Sequence, residues 1–317
     1  MAITVNSDGT EERGLIDDNV IQPFRLEKTA IRGRVVRLGS VLKEIVGKHD
    51  YPPPVSRLLS EALTICLLLS SMLKYEGIFS LQVKGDGPIN TIMADVTSQG
   101  HVRGYANYDA DAIKVAAKRM IDKEEANFFP LLGKGYMAFT VDHAGEKDHR
   151  YQGIVELSGD NLIDCIQGYF NQSEQIETFV KMAIHPQDFQ CRSGGIMIQR
   201  MPEEPEMLEE DADEHWNRTK ILLETCSEDE LLSPNLHSAD ILYRLFHEEG
   251  VRVYSPTPVR HVCRCSRDKV ENILKTLSLE ELNEHKEEEG SLVMRCELCG
   301  EEYKFNKDEL DEALTKE

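Results

Sequence analysis

Positive charge is scarce in this chain of 317 residues, which has 36 Lys and Arg against 57 Asp and Glu and a formal net charge of −21. Because negative charge repels phosphate groups, the composition argues against non-specific binding to DNA, RNA or an anionic membrane surface. Residues 1–200 contain 26 acidic and 22 basic residues, whereas residues 201–317 contain 31 acidic and 14 basic residues. This asymmetry predicts at least two regions in the chain. The negative net charge predicts that neither nucleic acid nor a membrane is a partner.

Long apolar segments are also lacking. The longest run, residues 62–73, has 12 residues and is interrupted by Thr64, Ser70 and Ser71, which is well short of the roughly 18 residues that span a bilayer. The N-terminal residues lack a basic stretch followed by an apolar one, so no secretory signal is predicted. The 40% of apolar residues predicts a globular protein with a core. Because no secretory signal is predicted, we expect the protein in the reducing cytoplasm.

Signatures of common hydrolases and ATPases are absent, including G-x-S-x-G, H-E-x-x-H and the P-loop. The sequence Gly-Asp-Gly-Pro at 85–88 is typical of a turn, since no Lys-Ser/Thr pair follows to make a phosphate-binding loop. His143, Glu146 and His149 have a loose metal-like spacing, but they lie between two predicted strands, which favours a solvated hairpin loop. We therefore predict that the protein is not an enzyme and has no catalytic residues.

Hydrophobic periodicity predicts an α+β core over residues 1–202. Residues 55–74 follow three prolines and are apolar on nearly every side, as in a helix inside a core. Short β-like runs separated by turn residues predict an antiparallel sheet, and one further helix and two further strands follow. The predicted elements are 31–38 (a strand or the beginning of a helix), 55–74 (helix), 78–84, 89–96, 101–106, 136–141, 151–157, 161–170 (helix), 178–184 and 194–198.

The composition changes abruptly at residues 203–214, where eight of twelve residues are acidic and none is basic. Such a block is expected to be solvated and loosely ordered. The amphipathic helices that follow have too few apolar residues to form a core of their own, so we predict a metastable helical linker over residues 203–254 that packs on another part of the protein. The predicted helices are 216–226, a short helix after a capping box at 227–230, and 238–249, which Gly250 ends.

The strongest chemical signal is the pair Cys263 and Cys265, followed after thirty residues by Cys296 and Cys299. In a reducing compartment two cysteine pairs favour a tetrahedral metal site, and four thiolates complete the coordination shell of zinc. The sequence thus predicts a small zinc module over residues 255–317, with these four cysteines as ligands. A closed site leaves no position for a catalytic water, so hydrolysis by zinc is not expected.

Three interpretations of this module stay open on the spacing alone. One is a structural zinc ribbon, although negative charge opposes its use on nucleic acid. Another is a thiol-disulfide oxidoreductase that uses Cys296 and Cys299, which requires a CxxC at a helix N-terminus, whereas the sequence after Cys299 is typical of an extended chain. The third is a redox switch, because peroxide and hypochlorite attack thiolates and a module this small depends on its metal for folding.

Further motifs extend along most of the chain. They are His-Asp-Tyr-Pro at 49–52, Gly-Asp-Gly-Pro at 85–88, Arg-Tyr-Gln-Gly at 150–153, Ser-Glu-Gln at 173–175 and Leu-Tyr-Arg-Leu-Phe-His-Glu-Glu at 242–249. Together with the cysteine pattern, which is highly specific, these motifs resemble the 33 kDa chaperonin family. Members of that family are redox-regulated, ATP-independent holdase chaperones of the bacterial cytosol.

The resemblance implies a specific switch. The reduced, zinc-loaded form is inactive in that family, and oxidation joins the cysteines that correspond to Cys263 with Cys265 and to Cys296 with Cys299. Loss of zinc then unfolds the linker, and the active protein, often a homodimer, binds unfolding client proteins. The implied cofactor is zinc, and the four cysteines are both its ligands and the redox-active disulfides.

Other cysteines and histidines are expected to have structural roles. Free cysteine behaves as a small apolar side chain, so we predict packing roles for Cys66, Cys165, Cys191 and Cys226. His261 and His285 are candidate competing ligands, but four cysteines already complete the shell of a zinc ion. We therefore expect neither histidine to bind the metal.

Overall fold

The computed structural model describes residues 18–122, 129–143, 150–186, 191–202, 209–277 and 291–310. It divides the chain into two compact units, Met1–His261 and Val262–Glu317. Both the predicted α+β core and the predicted linker fall within the first unit. The second unit begins at Val262 rather than at 255, because the short strands before it pair with sheets of the first unit.

The described strands and helices alternate in a mixed α+β order, as predicted. The strands are β1 (Val20–Leu26), β2 (Ile31–Leu38), β3 (Gly77–Gly85), β4 (Ile89–Thr97), β5 (His101–Tyr108), β6 (Gly135–His143), β7 (Arg150–Glu156), β8 (Thr178–His185), β9 (Arg192–Arg200), β10 (Val251–Val253), β11 (Thr257–Pro258), β12 (Arg260–His261), β13 (Leu292–Arg295) and β14 (Glu302–Phe305). The helices are α1 (Ser40–Val46), α2 (Pro53–Ser70), α3 (Ala110–Asp122), α4 (Leu162–Tyr169), α5 (Glu209–Glu224), α6 (Glu228–Leu232), α7 (Ser238–Phe246) and α8 (Arg267–Leu274).

The strands of the first unit form two sheets where the sequence predicted one. One sheet has the order β10-β1-β2-β9-β8, with β11 also paired to β1, and the other has the order β12-β5-β4-β3-β6-β7. The pairs are antiparallel except for β12, which runs parallel to β5. Strand β1, which the sequence did not predict, contains Pro23 and pairs with β2 over its whole length. This segment is a strand because it pairs with β2, β10 and β11, and not because of its composition.

Helix α2 lies between the two sheets. Its residues 58–70 are all buried, which confirms the predicted core helix, although the helix ends at Ser70 and not at 74. On one side Thr64 Oγ1 lies 2.8 Å from Ser193 Oγ of β9. On the other side a Cβ at Gly104 of β5 would lie 3.0 Å from the Leu63 side chain. Among the described helices, α2 included, none is both long and apolar enough to cross a membrane.

Helices α5 to α7 cover the outer face of the β1-β2-β9-β8 sheet. The capping box predicted at 227–230 is present: Glu230 N donates to Ser227 Oγ, and Ser227 N donates to Glu230 Oε2. Gly250, with a φ of 70°, follows α7 and one turn of 3-10 helix, as predicted. The side chains that form one buried apolar cluster between helices and sheet are Phe24, Leu26, Ile31, Val35, Ala183, Ile196, Ile198, Trp216, Leu223, Cys226, Leu231, Ile241, Leu242, Leu245 and Phe246.

Two arginines of this sheet hold the loop between α6 and α7. The side chain of Arg37, a residue only 1% exposed, donates hydrogen bonds to the carbonyl oxygens of Ser233 and Leu236. Arg192 Nε donates to the carbonyl oxygen of Leu232 at 2.7 Å. Hydrogen bonds from charged groups contribute about 1.5–3 kcal/mol each. These contacts therefore attach the predicted linker to the sheet through its backbone.

The acidic block is more ordered than its composition predicted. Residues 209–214 form the first turns of α5, whereas residues 203–208 lie outside the described residues. Arg200 lies 2.5 Å from Asp213 and Arg218 lies 3.3 Å from Glu214. Acidic side chains near a helix N-terminus also interact favourably with the helix dipole. The prediction of loosely ordered chain is wrong for 209–214 because it left out both effects.

Candidate metal centre

The second unit brings the four predicted cysteines together. Cys263 and Cys265 lie in an extended segment directly before α8, whose N-cap residue Ser266 accepts a hydrogen bond from Lys269 N. Cys296 and Cys299 lie in the turn between β13 and β14, which pair over four residues. The helix and the hairpin share a small apolar core. Its buried members are Val270, Leu274, Leu292, Phe305 and Leu310.

The sulfur positions fit a tetrahedral metal ion. All four Sγ atoms lie within 4.8 Å of one another, with 3.8 Å between those of Cys263 and Cys296 and 3.4 Å between those of Cys265 and Cys299. A Zn–S bond of about 2.3 Å places the sulfurs of a regular tetrahedron about 3.8 Å apart. Four half-buried sulfur donors at this spacing are a donor set suited to zinc.

The turn between the two strands directs backbone N–H groups at the sulfurs. Gly300 has a φ of 75°, a conformation that glycine adopts without strain. Its N–H donates to the carbonyl oxygen of Cys296 at 2.8 Å, and Cys296 N donates to the carbonyl oxygen of Glu301 at 2.9 Å. The Cys296 sulfur then accepts from the N–H groups of Leu298 and Cys299, and the Cys299 sulfur accepts from that of Glu301.

Burial keeps the thiols of Cys296 and Cys299 protonated without a cation. Burial is the main cause that raises the pKa of Cys296 and of Cys299, while backbone N–H groups lower both values. The neighbouring thiols raise the pKa of Cys299 further, whereas for Cys296 the Cys299 thiol lowers the pKa and Cys263 raises it. A bound divalent cation reverses this balance, since a coordinating thiol loses its proton. The four sulfurs therefore lie close enough together to hold one metal ion.

Two side chains support the cluster that the sequence did not single out. Tyr303 Oη lies 3.1 Å from Cys265 Sγ. Arg267 stacks on the ring of Phe305, 4.3 Å from its centroid, and donates to Glu309 at 2.8 Å. The register of β13 and β14 and the direction of α8 place these two side chains near the cluster. The only indication in the sequence is their closeness to the cysteine pairs.

The remaining cysteines pack in the first unit, as predicted. Cys66, Cys165, Cys191 and Cys226 are all buried. Burial is the main cause that raises the pKa of each of these thiols, that of Cys191 to about 11. A thiol with a raised pKa forms little thiolate at neutral pH and reacts slowly.

Of the other candidate metal-binding residues, the two that the structure describes, His143 and His261, do not join the cluster. His261 belongs to the first unit, where its Nδ1 lies 3.5 Å from Glu44 Oε2. His143 ends β6, while Glu146, His149 and His285 lie outside the described residues. Residues 85–88 form the predicted turn, in which Gly87 N donates to the carbonyl oxygen of Leu132. The CxxC lies in a hairpin turn and not at a helix N-terminus, which disfavours the oxidoreductase interpretation.

Comparison with known proteins gives the same family throughout. A family model described as Hsp33 protein matches residues 19–306. The 33 kDa chaperonin of Caulobacter vibrioides is 35% identical over 304 residues, covering 95% of this chain and 98% of that protein. The 33 kDa chaperonin of Proteus mirabilis is 33% identical over 293 residues, covering 92% and 95%.

A crystal structure of a 33 kDa chaperonin, a heat shock protein 33 homolog from Thermotoga maritima, has the same fold. It superimposes with a TM-score of 0.75 at 23% identity, covering 93% of this chain and 97% of that one. The matched relatives are chaperones, and this chain has an α+β unit followed by a small unit with four clustered thiols. The chain belongs to the Hsp33 family, whose matched relatives are named as chaperonins and not as enzymes.

Proposed function

We propose that this protein is a redox-regulated, ATP-independent holdase of the cytoplasm that is inactive when reduced and zinc-bound. In this proposal Cys263, Cys265, Cys296 and Cys299 are the zinc ligands. The functional parts are a chaperone core over 1–202, a metastable linker over 203–254 and a redox-switch domain over 255–317. The observation that carries the proposal is the cluster of four sulfurs within 4.8 Å in a chain of the Hsp33 family.

The sulfurs themselves perform the chemistry of the switch. One thiolate attacks an oxygen of hydrogen peroxide, the O–O bond breaks and hydroxide leaves. A second thiolate displaces hydroxide from the resulting sulfenic acid, so that each disulfide transfers two electrons to one peroxide. All four sulfurs lie within reach of one another, and the pairs Cys263–Cys265 and Cys296–Cys299 come from the family resemblance. Cys263, Cys265, Cys296 and Cys299 would hold a zinc ion, which would keep their sulfurs deprotonated. Disulfide formation would remove these ligands from the ion.

Loss of the ion is expected to unfold the second unit. Its described core has only five buried apolar side chains, whereas structural zinc in small modules couples roughly 10–16 kcal/mol to folding. A typical domain is stable by about 5–15 kcal/mol, so this module does not stay folded once the ion is lost. Release of the adjoining linker follows in our proposal.

The linker covers the surface that unfolding client proteins would bind. Helices α5 to α7 bury the apolar face of the β1-β2-β9-β8 sheet. If these helices leave, Phe24, Leu26 and Ile198, each at most 1% exposed in this structure, become accessible on the sheet and form an apolar patch of the kind that binds proteins. The net charge of −21 keeps such complexes soluble. We further propose that the oxidised form is a homodimer.

The test uses the reduced, zinc-loaded protein and peroxide at a mildly elevated temperature. We expect zinc release, the disulfides Cys263–Cys265 and Cys296–Cys299 in peptide maps, and suppressed light scattering by a heat-unfolding client without ATP. The matched variants are Cys299→Ser, which loses a ligand, and Cys191→Ser, which changes a buried cysteine outside the cluster and is expected to respond as wild type.

Three outcomes would contradict the proposal. Zinc release with unchanged client scattering removes the chaperone activity. Rapid turnover of a dithiol substrate favours the oxidoreductase, and salt-dependent binding of an oligonucleotide favours a zinc ribbon.

A further inference from the structure

The hydroxyl of Tyr303 contacts one of the four sulfurs. Tyr303 lies on β14 opposite Met294 of β13, and its Oη is 3.1 Å from Cys265 Sγ. The phenol is the donor in this contact, and it remains the donor when a bound metal removes the thiol proton, because a thiolate can only accept a hydrogen bond. The ring packs against the small apolar core of the second unit, which fixes the direction of the hydroxyl.

This contact differs in kind from those of the CxxC sulfurs. Cys296 and Cys299 accept hydrogen bonds from the backbone N–H groups of Leu298, Cys299 and Glu301. The turn fixes those donors, so no side-chain substitution removes them. The hydrogen bond to Cys265 comes from the Tyr303 side chain. A substitution that removes only the hydroxyl oxygen of Tyr303 therefore removes this hydrogen bond.

We propose that Tyr303 is a positioning residue that holds the Cys265 sulfur in place and sets how readily it is oxidised. The inference rests on the proposed function. A hydrogen bond uses a lone pair of the sulfur and draws electron density from it, so the Cys265 thiolate attacks peroxide more slowly. Groups that hydrogen-bond to metal ligands also orient them, and their loss typically lowers metal affinity about 10- to 100-fold.

The test is Tyr303→Phe, which keeps the ring in the core and removes only the hydroxyl. We expect at least about a tenfold loss of zinc affinity in competition with a chromogenic chelator. In limited alkylation with iodoacetamide, followed by mass spectrometry of each cysteine peptide, we expect the ratio of labelling at Cys265 to that at Cys299 to rise roughly two- to tenfold. Cys299 is the internal reference, because its donor is a backbone N–H.

Tyr136→Phe is the matched control, since Tyr136 is 43% exposed on β6 of the first unit. It is expected to keep the wild-type zinc affinity and labelling ratio. The inference would be overturned if Tyr303→Phe kept both the zinc affinity and the labelling ratio of wild type. It would also be overturned if labelling rose equally at all four cysteines, because the Tyr303 side chain would then have a packing role only. The two failures are separable, because a wild-type protein that binds no zinc overturns the proposed function before any variant is compared.

Discussion

Gly194 lies where strand β9 passes beneath helix α6, and it has no room for a side chain. A Cβ at this position would lie 2.7 Å from both the Cγ and the carbonyl oxygen of Leu231. We expect Gly194→Ala to push α6 away from the sheet, because overpacking of this kind typically costs about 1–3 kcal/mol. Urea denaturation would measure the lower free energy of unfolding, and hydrogen exchange would show faster exchange over residues 228–249.

Gly168→Ala is the matched control. Gly168 lies within α4, and a Cβ there would meet no atom within 4 Å. Because alanine is the better helix former, this variant is expected to be as stable as wild type or more stable by up to about 1 kcal/mol. If Gly194→Ala exchanged over residues 228–249 at the wild-type rate, α6 would not depend on close contact with the sheet.

Two elements of the core meet at a buried carboxyl group. Glu61 of α2 is 8% exposed, and its Oε1 accepts a hydrogen bond from Leu162 N at the beginning of α4, at 3.0 Å. Burial raises the pKa of Glu61 from 4.5 to about 7, although the hydrogen bond from Leu162 and the charge of Arg57 lower it. The core thus contains a group that titrates near neutral pH.

This group makes stability depend on pH with a defined sign. Because the folded-state pKa lies above the unfolded value, the folded protein binds more protons between about pH 4.5 and 7, and the free energy of unfolding falls as pH rises through this window. At 1.36 kcal/mol per pKa unit, the full effect is about 3 kcal/mol. Chemical denaturation of wild type and Glu61→Gln at pH 5.5 and 8 would measure it.

The difference between these two proteins isolates the contribution of Glu61, because every other titratable group is common to both. Wild type is expected to lose more stability than Glu61→Gln between pH 5.5 and 8. Equal losses in the two proteins would mean that Glu61 is ionised throughout the window.

At the scale of the whole molecule, the two units differ in what stabilises them. The first unit has an extensive buried core around α2, whereas the described core of the second has five buried apolar side chains. We expect a zinc chelator under reducing conditions to make residues 262–317 sensitive to protease while the strands of the first unit stay resistant. Limited proteolysis with mass spectrometry of the fragments would measure this difference.

Re-addition of zinc to the chelated, reduced protein is the control, and it is expected to restore protection of residues 262–317. A second unit that resists protease without its ion would contradict the proposed switch, since sulfur oxidation would then have no structural consequence.

The elements that the sequence predicted well are those whose signal is local. The helix at 55–74, the strands from 78 to 157, the capping box at 227–230 and the glycine stop at 250 each follow from periodicity or from turn and cap chemistry within a few residues. Strand β1, the short strands β10 to β12 and the division into two sheets depend on pairing between residues far apart in the chain. A single sequence contains no comparable signal for such pairing.

The sequence by itself determined the chemistry of the candidate site, because cysteine is the residue that offers thiolates and its spacing is visible along the chain. Only the tertiary structure placed the Tyr303 hydroxyl on the Cys265 sulfur and the Arg37 guanidinium on the carbonyl groups of the loop between α6 and α7. Tyrosine and arginine occur in many surroundings, so their residue type alone does not indicate a partner. A hydrogen bond depends on distance and direction, which are set once the chain is folded.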